Sequence, residues 1–99
     1  MAQETETGNI RLPCTNTLQH ASKICIVEDK PIMLDYWQPS LEKTVVIGVR
    51  EDGEKLLVKS EDEYTSTIVK IFKVESDYII LTENSLYIVD VNCQTKRIS

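Results

Sequence analysis

The run DYIILTENSLYIVDV, Asp77 to Val91, packs β-branched and aromatic residues on both sides of one polar break, Glu83-Asn84. Such runs favour strands, and a two-residue polar break favours a hairpin. With Glu83-Asn84 as the turn, Leu81 faces Leu86 and Ile79 faces Ile88 on one side. Ile80 faces Tyr87 and Tyr78 faces Val89 on the other, because successive side chains in a strand alternate between faces. Both faces are therefore apolar, whereas a hairpin with one wet side alternates apolar and polar residues. Either the chain covers this hairpin on both sides, or one side is a docking surface. Large exposed apolar patches are uncommon on monomers, which favours cover by the chain itself. The docking alternative assigns Tyr78, Ile80, Tyr87 and Val89 to partner binding.

Upstream, similar runs alternate with short polar punctuation: KICIV (23–27), PIMLDYW (31–37), TVVIGVR (44–50), KLLVKS (55–60) and TSTIVKIFKV (65–74). Strands at this spacing, with no long 3.6-residue period between them, predict an all-β antiparallel meander of about six or seven strands. It would close into a small barrel or fold as a sandwich. Residues 15–22, with Thr15 or Asn16 as cap, fit either one short N-terminal helix or an extended arm. Asp52-Gly53 is a two-residue hairpin signal. With that pair as the loop, Val49 faces Leu56 and Ile47 faces Val58. A three-residue loop, Glu51 to Gly53, would set Val49 against Lys55 and Val45 against Lys59. Burying an aliphatic side chain is worth about 1.5–3 kcal/mol, which predicts the first register.

The segment VEDKPIMLDYW carries the only tryptophan. Pro31 suits a strand start, where its missing N–H costs little. Alternation then sets Ile32, Leu34 and Tyr36 toward the core and Met33, Asp35 and Trp37 away from it. Methionine and tryptophan are enriched in interfaces, so Met33 and Trp37 join the partner-binding set. The competing reading has Trp37 covering the open end of a barrel.

At 99 residues, 41% of them hydrophobic, the chain has material for one modest core and no separate substrate domain. Residues 1–9 are polar and acidic and predict a flexible tail, leaving 10–99 as a single β domain. A net charge of -5 works against a phosphate-binding face. No apolar run approaches the roughly 18 residues of a membrane span, and the first residues lack a secretory pattern. Three cysteines without close pairing point to free thiols in a reducing compartment.

The motifs that would carry chemistry are missing. Cys14, His20, Cys25 and Cys93 are not spaced as the two close pairs of a structural zinc site, so no metal and no cofactor are assigned. His20 is the single imidazole, and neither a nucleophile elbow nor a glycine-rich oxyanion loop accompanies it. The carboxylates at 51–54 and 61–63 read as a solvated rim, not as a cleft that raises a pKa. No catalytic residue is assigned, and the chain reads as a non-enzyme. An OB-like or SH3-like single-strand nucleic-acid binder would rely on Phe72, Lys70 and Lys73 with Lys96 and Arg97, a thin platform for base stacking.

The order of runs and turns in EDKPIMLDYW, VIGVREDGEKLLVKSEDEYTS and TENSLYIV resembles small uncharacterised proteins of large double-stranded DNA viruses. The resemblance spans residues 24–91 and carries over no functional residue. It implies a virus-encoded structural or interaction protein, in the virus particle or the infected cell. The expected function is thus a non-enzymatic structural or protein-interaction module, binding a protein partner or itself.

Overall fold

The computed structural model describes residues 11–98, so the expected tail at 1–9 lies outside the described residues. Helix α1 spans Thr15–Glu28 and is followed by strand β1 at Ile32–Met33 and a five-residue helix, α2, at Trp37–Leu41. Six further strands follow: β2 Val46–Val49, β3 Lys55–Val58, β4 Ile68–Val74, β5 Asp77–Thr82, β6 Leu86–Asp90 and β7 Gln94–Arg97. Among the described residues, no helix is long and apolar enough to cross a membrane.

The strands form two sheets, one ordered β1-β6-β5-β4 and the other β3-β2-β7. There is no closed barrel. The sheets are also not purely antiparallel, since β1 runs parallel to β6 and β2 parallel to β7. These long-range pairings bring together segments that local turn signals cannot connect.

The C-terminal hairpin adopts the expected register, with Leu81 opposite Leu86, Ile79 opposite Ile88, Ile80 opposite Tyr87 and Tyr78 opposite Val89. Its two apolar faces have a simple cause: the first sheet is the middle of three layers. On one face Ile79, Leu81, Leu86 and Ile88 pack with Ala21, Trp37 and the flanking Ile24 and Ile32. On the other, Ile80 and Val89 pack with Tyr36 and Val45 and with Ile47 and Leu57 of the second sheet.

Two expected elements differ. The KICIV run is not a strand but the C-terminal half of α1. Thr17, Ala21 and Ile24 recur at helical spacing and form the inner stripe, and this periodicity overrides the β preference of Ile26 and Val27. Asp29 ends the helix in the left-handed conformation (φ 57°), a geometry that aspartate tolerates better than most residues. The 31–37 run is strand only at Ile32–Met33 and then turns into α2, so the predicted alternation breaks after Met33.

The β2–β3 hairpin takes the three-residue loop. Val49 sits opposite Lys55 and Ile47 opposite Leu57, while the Arg50 N–H donates to the Glu54 carbonyl at 2.8 Å. Gly53 supplies the positive φ (91°) that closes such a loop. The expected penalty for a lysine beside the core is small, because Lys59 lies with its ammonium 4.6 Å from the Tyr36 ring centroid. A lysine stem can cover apolar surface while its charge faces an aromatic ring.

Candidate interaction surface

The side chains expected to dock a partner are mostly inside. Ile80 and Val89 are fully buried, because the second sheet covers the hairpin face that carries them. Tyr78 and Tyr87 are partly buried against the same core, and the Tyr87 ring meets Tyr36 edge-on at 5.1 Å. Burial pushes the Tyr36 phenol up to about 12. Trp37 is only 6% exposed. It opens α2 and does not end a strand, which turns its ring into the core between α1 and the first sheet. Met33 alone of the set stays at the surface, next to the exposed Leu34.

A polar centre holds the N-terminal segment to this core. Asp77 and Asp90 are cross-strand partners on β5 and β6, and Arg11 bridges them at 2.9 and 2.7 Å. The second oxygen of Asp77 accepts from the Cys14 N–H at 2.8 Å and from the Thr17 hydroxyl at 2.7 Å. Burial alone would raise the Asp77 carboxyl, but these donors and Arg11 together hold it below its ordinary value. Arg11 also lies over the Trp37 ring, 4.8 Å from its centroid, and its carbonyl accepts from Trp37 Nε1 at 2.8 Å. Ser40 accepts from the Asp90 N–H and donates to the Trp37 carbonyl. Among the described residues, no buried side-chain polar atom lacks a partner. A carboxylate buried and held ionised in this way anchors an element and is poorly placed to exchange protons with a substrate.

The remaining sequence candidates do not converge. His20 is exposed on α1, and Cys14 and Cys25 are partly buried there. Cys93 lies in the inter-sheet core, its thiol pushed up to about 11 by burial and 3.2 Å from the Val45 carbonyl. Among the described residues, no three metal-ligating side chains cluster. Lys70 lies 5.3 Å from the Phe72 ring centroid, but Lys73 alternates to the other face of β4, and Lys96 and Arg97 belong to β7 in the other sheet. The proposed nucleic-acid platform is therefore dispersed.

Strand β4 is one edge of its sheet, with β1 at the other, and at seven residues it is the longest strand among the described residues. None of its residues is buried, whereas β5 and β6 are buried at every position except Tyr78 and Tyr87. From Ile68 to Lys73 its outer edge receives no backbone hydrogen bond from another described segment. Val69, at a register irregularity in the strand, is 59% exposed.

An open groove flanks each side of this edge. One, of about 480 Å³, lies between residues 67–71 and Asp52–Lys55 of the β2–β3 turn. The other, of about 170 Å³, lies between Phe72 and Ile24 and Val27 of α1, with Lys23 and Glu28 beside them. Val27 is itself exposed, as is Ile26 on the outward side of the helix. A further cleft of about 330 Å³ opens on the outer face of the second sheet, walled by Leu56, Val58, Tyr64 and Ile98. In sequence, Lys70, Phe72 and Lys73 suggest a nucleic-acid platform, but two lysines in an otherwise apolar strand are also a common mark of a sheet edge. The chain matches no protein-family model, no curated protein and no solved structure.

Proposed function

We propose that the protein is a non-enzymatic protein-interaction module that binds an extended segment of another protein along the edge of β4. The observation that carries this reading is the long strand edge that no other described segment pairs, with a groove on either side. An added strand gains main-chain hydrogen bonds from such an edge, and its alternate side chains enter the flanking grooves. The non-enzymatic part rests on the placement of the titratable groups. Asp77 is consumed by anchoring contacts, and the exposed His20 makes no hydrogen bond or ion pair with a described side chain. The resemblance of residues 24–91 to small viral proteins would set such a module in a virus particle or an infected cell.

The test is selection of random decapeptides on the immobilised folded protein, followed by amide mapping of the complexes by NMR. Shifts centred on residues 68–73, with slowed exchange of β4 amides, support the reading. Selected peptides that shift only α1 or the outer face of the second sheet overturn it, as does failure to select any.

A further inference from the structure

We infer that the segment β4 accepts carries the pattern acidic–apolar–apolar–acidic, an inference that rests on the reading of β4 as the docking edge. The strand presents Lys70, Ile71, Phe72 and Lys73 in a row, and no residue of β4 is acidic. Residues directly opposite on a neighbouring strand point to the same face. A side chain opposite Phe72 therefore enters the groove walled by Ile24 and Val27. One opposite Ile71 enters the groove toward the β2–β3 turn. Apolar groups at these two positions meet Ile71 and Phe72 as direct cross-strand neighbours. The positions opposite Lys70 and Lys73 call for carboxylates. The pattern is a palindrome, so it holds for either strand direction.

Charge also argues against a second copy of this chain as the occupant. An antiparallel pairing centred between Ile71 and Phe72 sets Lys70 of one copy opposite Lys73 of the other, twice. Like charges directly opposite are destabilising, and lysines on edge strands oppose self-pairing in this way. The grooves hold Glu28 together with Lys23, and Asp52 and Glu54 together with Lys55 and Lys70, so their charge is mixed. The preference for carboxylates on the partner therefore comes from the lysines of the strand itself.

The experiment compares two blocked octapeptides with the full chain by titration calorimetry and amide mapping. One has a glutamate–valine–valine–glutamate centre flanked by threonines, and the other has lysines in place of both glutamates. The acidic peptide should bind on the order of tenfold more tightly at low salt. The difference should shrink as salt rises from about 0.1 M to about 1 M, where screening lengths fall from roughly 10 to roughly 3 Å. Lys70→Glu combined with Lys73→Glu changes two exposed side chains and should invert the preference. Equal affinities for the two peptides, or no inversion in the double variant, would overturn the charge pattern. If neither octapeptide binds while unbiased selection yields peptides of another pattern that map to β4, the inference fails and the docking edge stands. If selection finds nothing at β4, the docking edge fails with it.

Discussion

The Asp77 carboxylate accepts a hydrogen bond from the Cys14 backbone N–H at 2.8 Å, across 63 positions of sequence. Cys14 is the N-cap of α1, and its own side chain makes no capping bond. Asp77, at the start of β5, supplies the acceptor from outside the helix and also takes the Thr17 hydroxyl. The anion meets the positive end of the helix dipole. One carboxylate thereby joins the helical layer to the middle sheet, and the Arg11 bridge to Asp90 adds the segment before α1.

Replacing Asp77 should destabilise the whole domain, not only the helix end. Asp77→Ala leaves the Cys14 N–H, the Thr17 hydroxyl and part of the Arg11 charge without their partner, a loss of about 3–5 kcal/mol in urea unfolding. Asp77→Asn keeps an acceptor and the volume, and should cost about 1–3 kcal/mol. The pH dependence follows from the lowered Asp77 value. A carboxyl lower in the folded state stabilises above its unfolded value of about 3.9, and that contribution disappears as pH falls through the folded value. The gap between wild type and Asp77→Asn should therefore be full at neutral pH and narrow below about pH 4. A gap that stays constant down to pH 2, on the order of two units lower, would mean that Asp77 is not held ionised by these donors.

Trp37 offers an optical check, because it is the only tryptophan in the chain. Its burial at 6% exposure and its Nε1 bond to the Arg11 carbonyl predict blue-shifted emission and weak quenching by iodide. Arg11→Ala removes the guanidinium over the ring and should raise quenching before global unfolding begins. Trp37→Ala should cost about 3–5 kcal/mol, as large aromatic truncations in cores do. Emission near that of free tryptophan in the folded wild type would return the residue to the surface.

What was legible in the sequence is what short-range pairing determines. The Asp77–Val91 hairpin could be read residue by residue because its turn and both of its strands are contiguous. Its two-sided apolarity favours cover by the chain over docking to a partner, and the covering elements come from distant segments that the hairpin does not specify. The β2–β3 register departs from the aliphatic-burial expectation because a lysine beside the core costs little when, like Lys59, it lies over Tyr36. The β-branched residues of the 23–27 run favour a strand, but the Thr17, Ala21, Ile24 periodicity decides for helix. Strand β7 left no signal: Gln94–Arg97 has no apolar residue, every position is exposed, and it exists through parallel pairing with β2. The edge character of β4 was written in Lys70 and Lys73, but only the sheet order shows that nothing pairs beyond them among the described residues.

Gly48 and Ile98 form a close pair on the outer face of the second sheet. A Cβ added at Gly48 would fall 2.6 Å from Ile98 Cδ1 and 3.1 Å from both Cγ atoms. The Ile98 side chain would have to move as a unit, while its backbone N–H stays bonded to the Val49 carbonyl at 2.9 Å. Gly48→Ala should therefore cost about 1–3 kcal/mol, the range of overpacking. In the Ile98→Ala background the same change should cost less than about 0.5 kcal/mol, so a double-mutant cycle isolates the clash. Additive effects would place the penalty elsewhere in β2.

The contrast between the buried hairpin and the exposed β4 separates core from the proposed docking surface. Val89→Asp puts an unpaired carboxylate in the inter-sheet core, where Val89 is fully buried. The loss should exceed about 4 kcal/mol, enough to unfold a domain of ordinary stability. Tyr87→Asp should also unfold the chain, since the ring packs against Tyr36 and the same core. Val69→Asp, at a position 59% exposed on β4, should change stability by no more than about 0.5 kcal/mol. Circular dichroism melts on the three variants distinguish the two regions. If Val69→Asp unfolds the protein as Val89→Asp does, then β4 is covered in solution and its edge is not free to accept a partner. A folded Val69→Asp variant whose β4 amides still exchange quickly keeps the edge available, and adds a carboxylate where an acidic segment would be repelled.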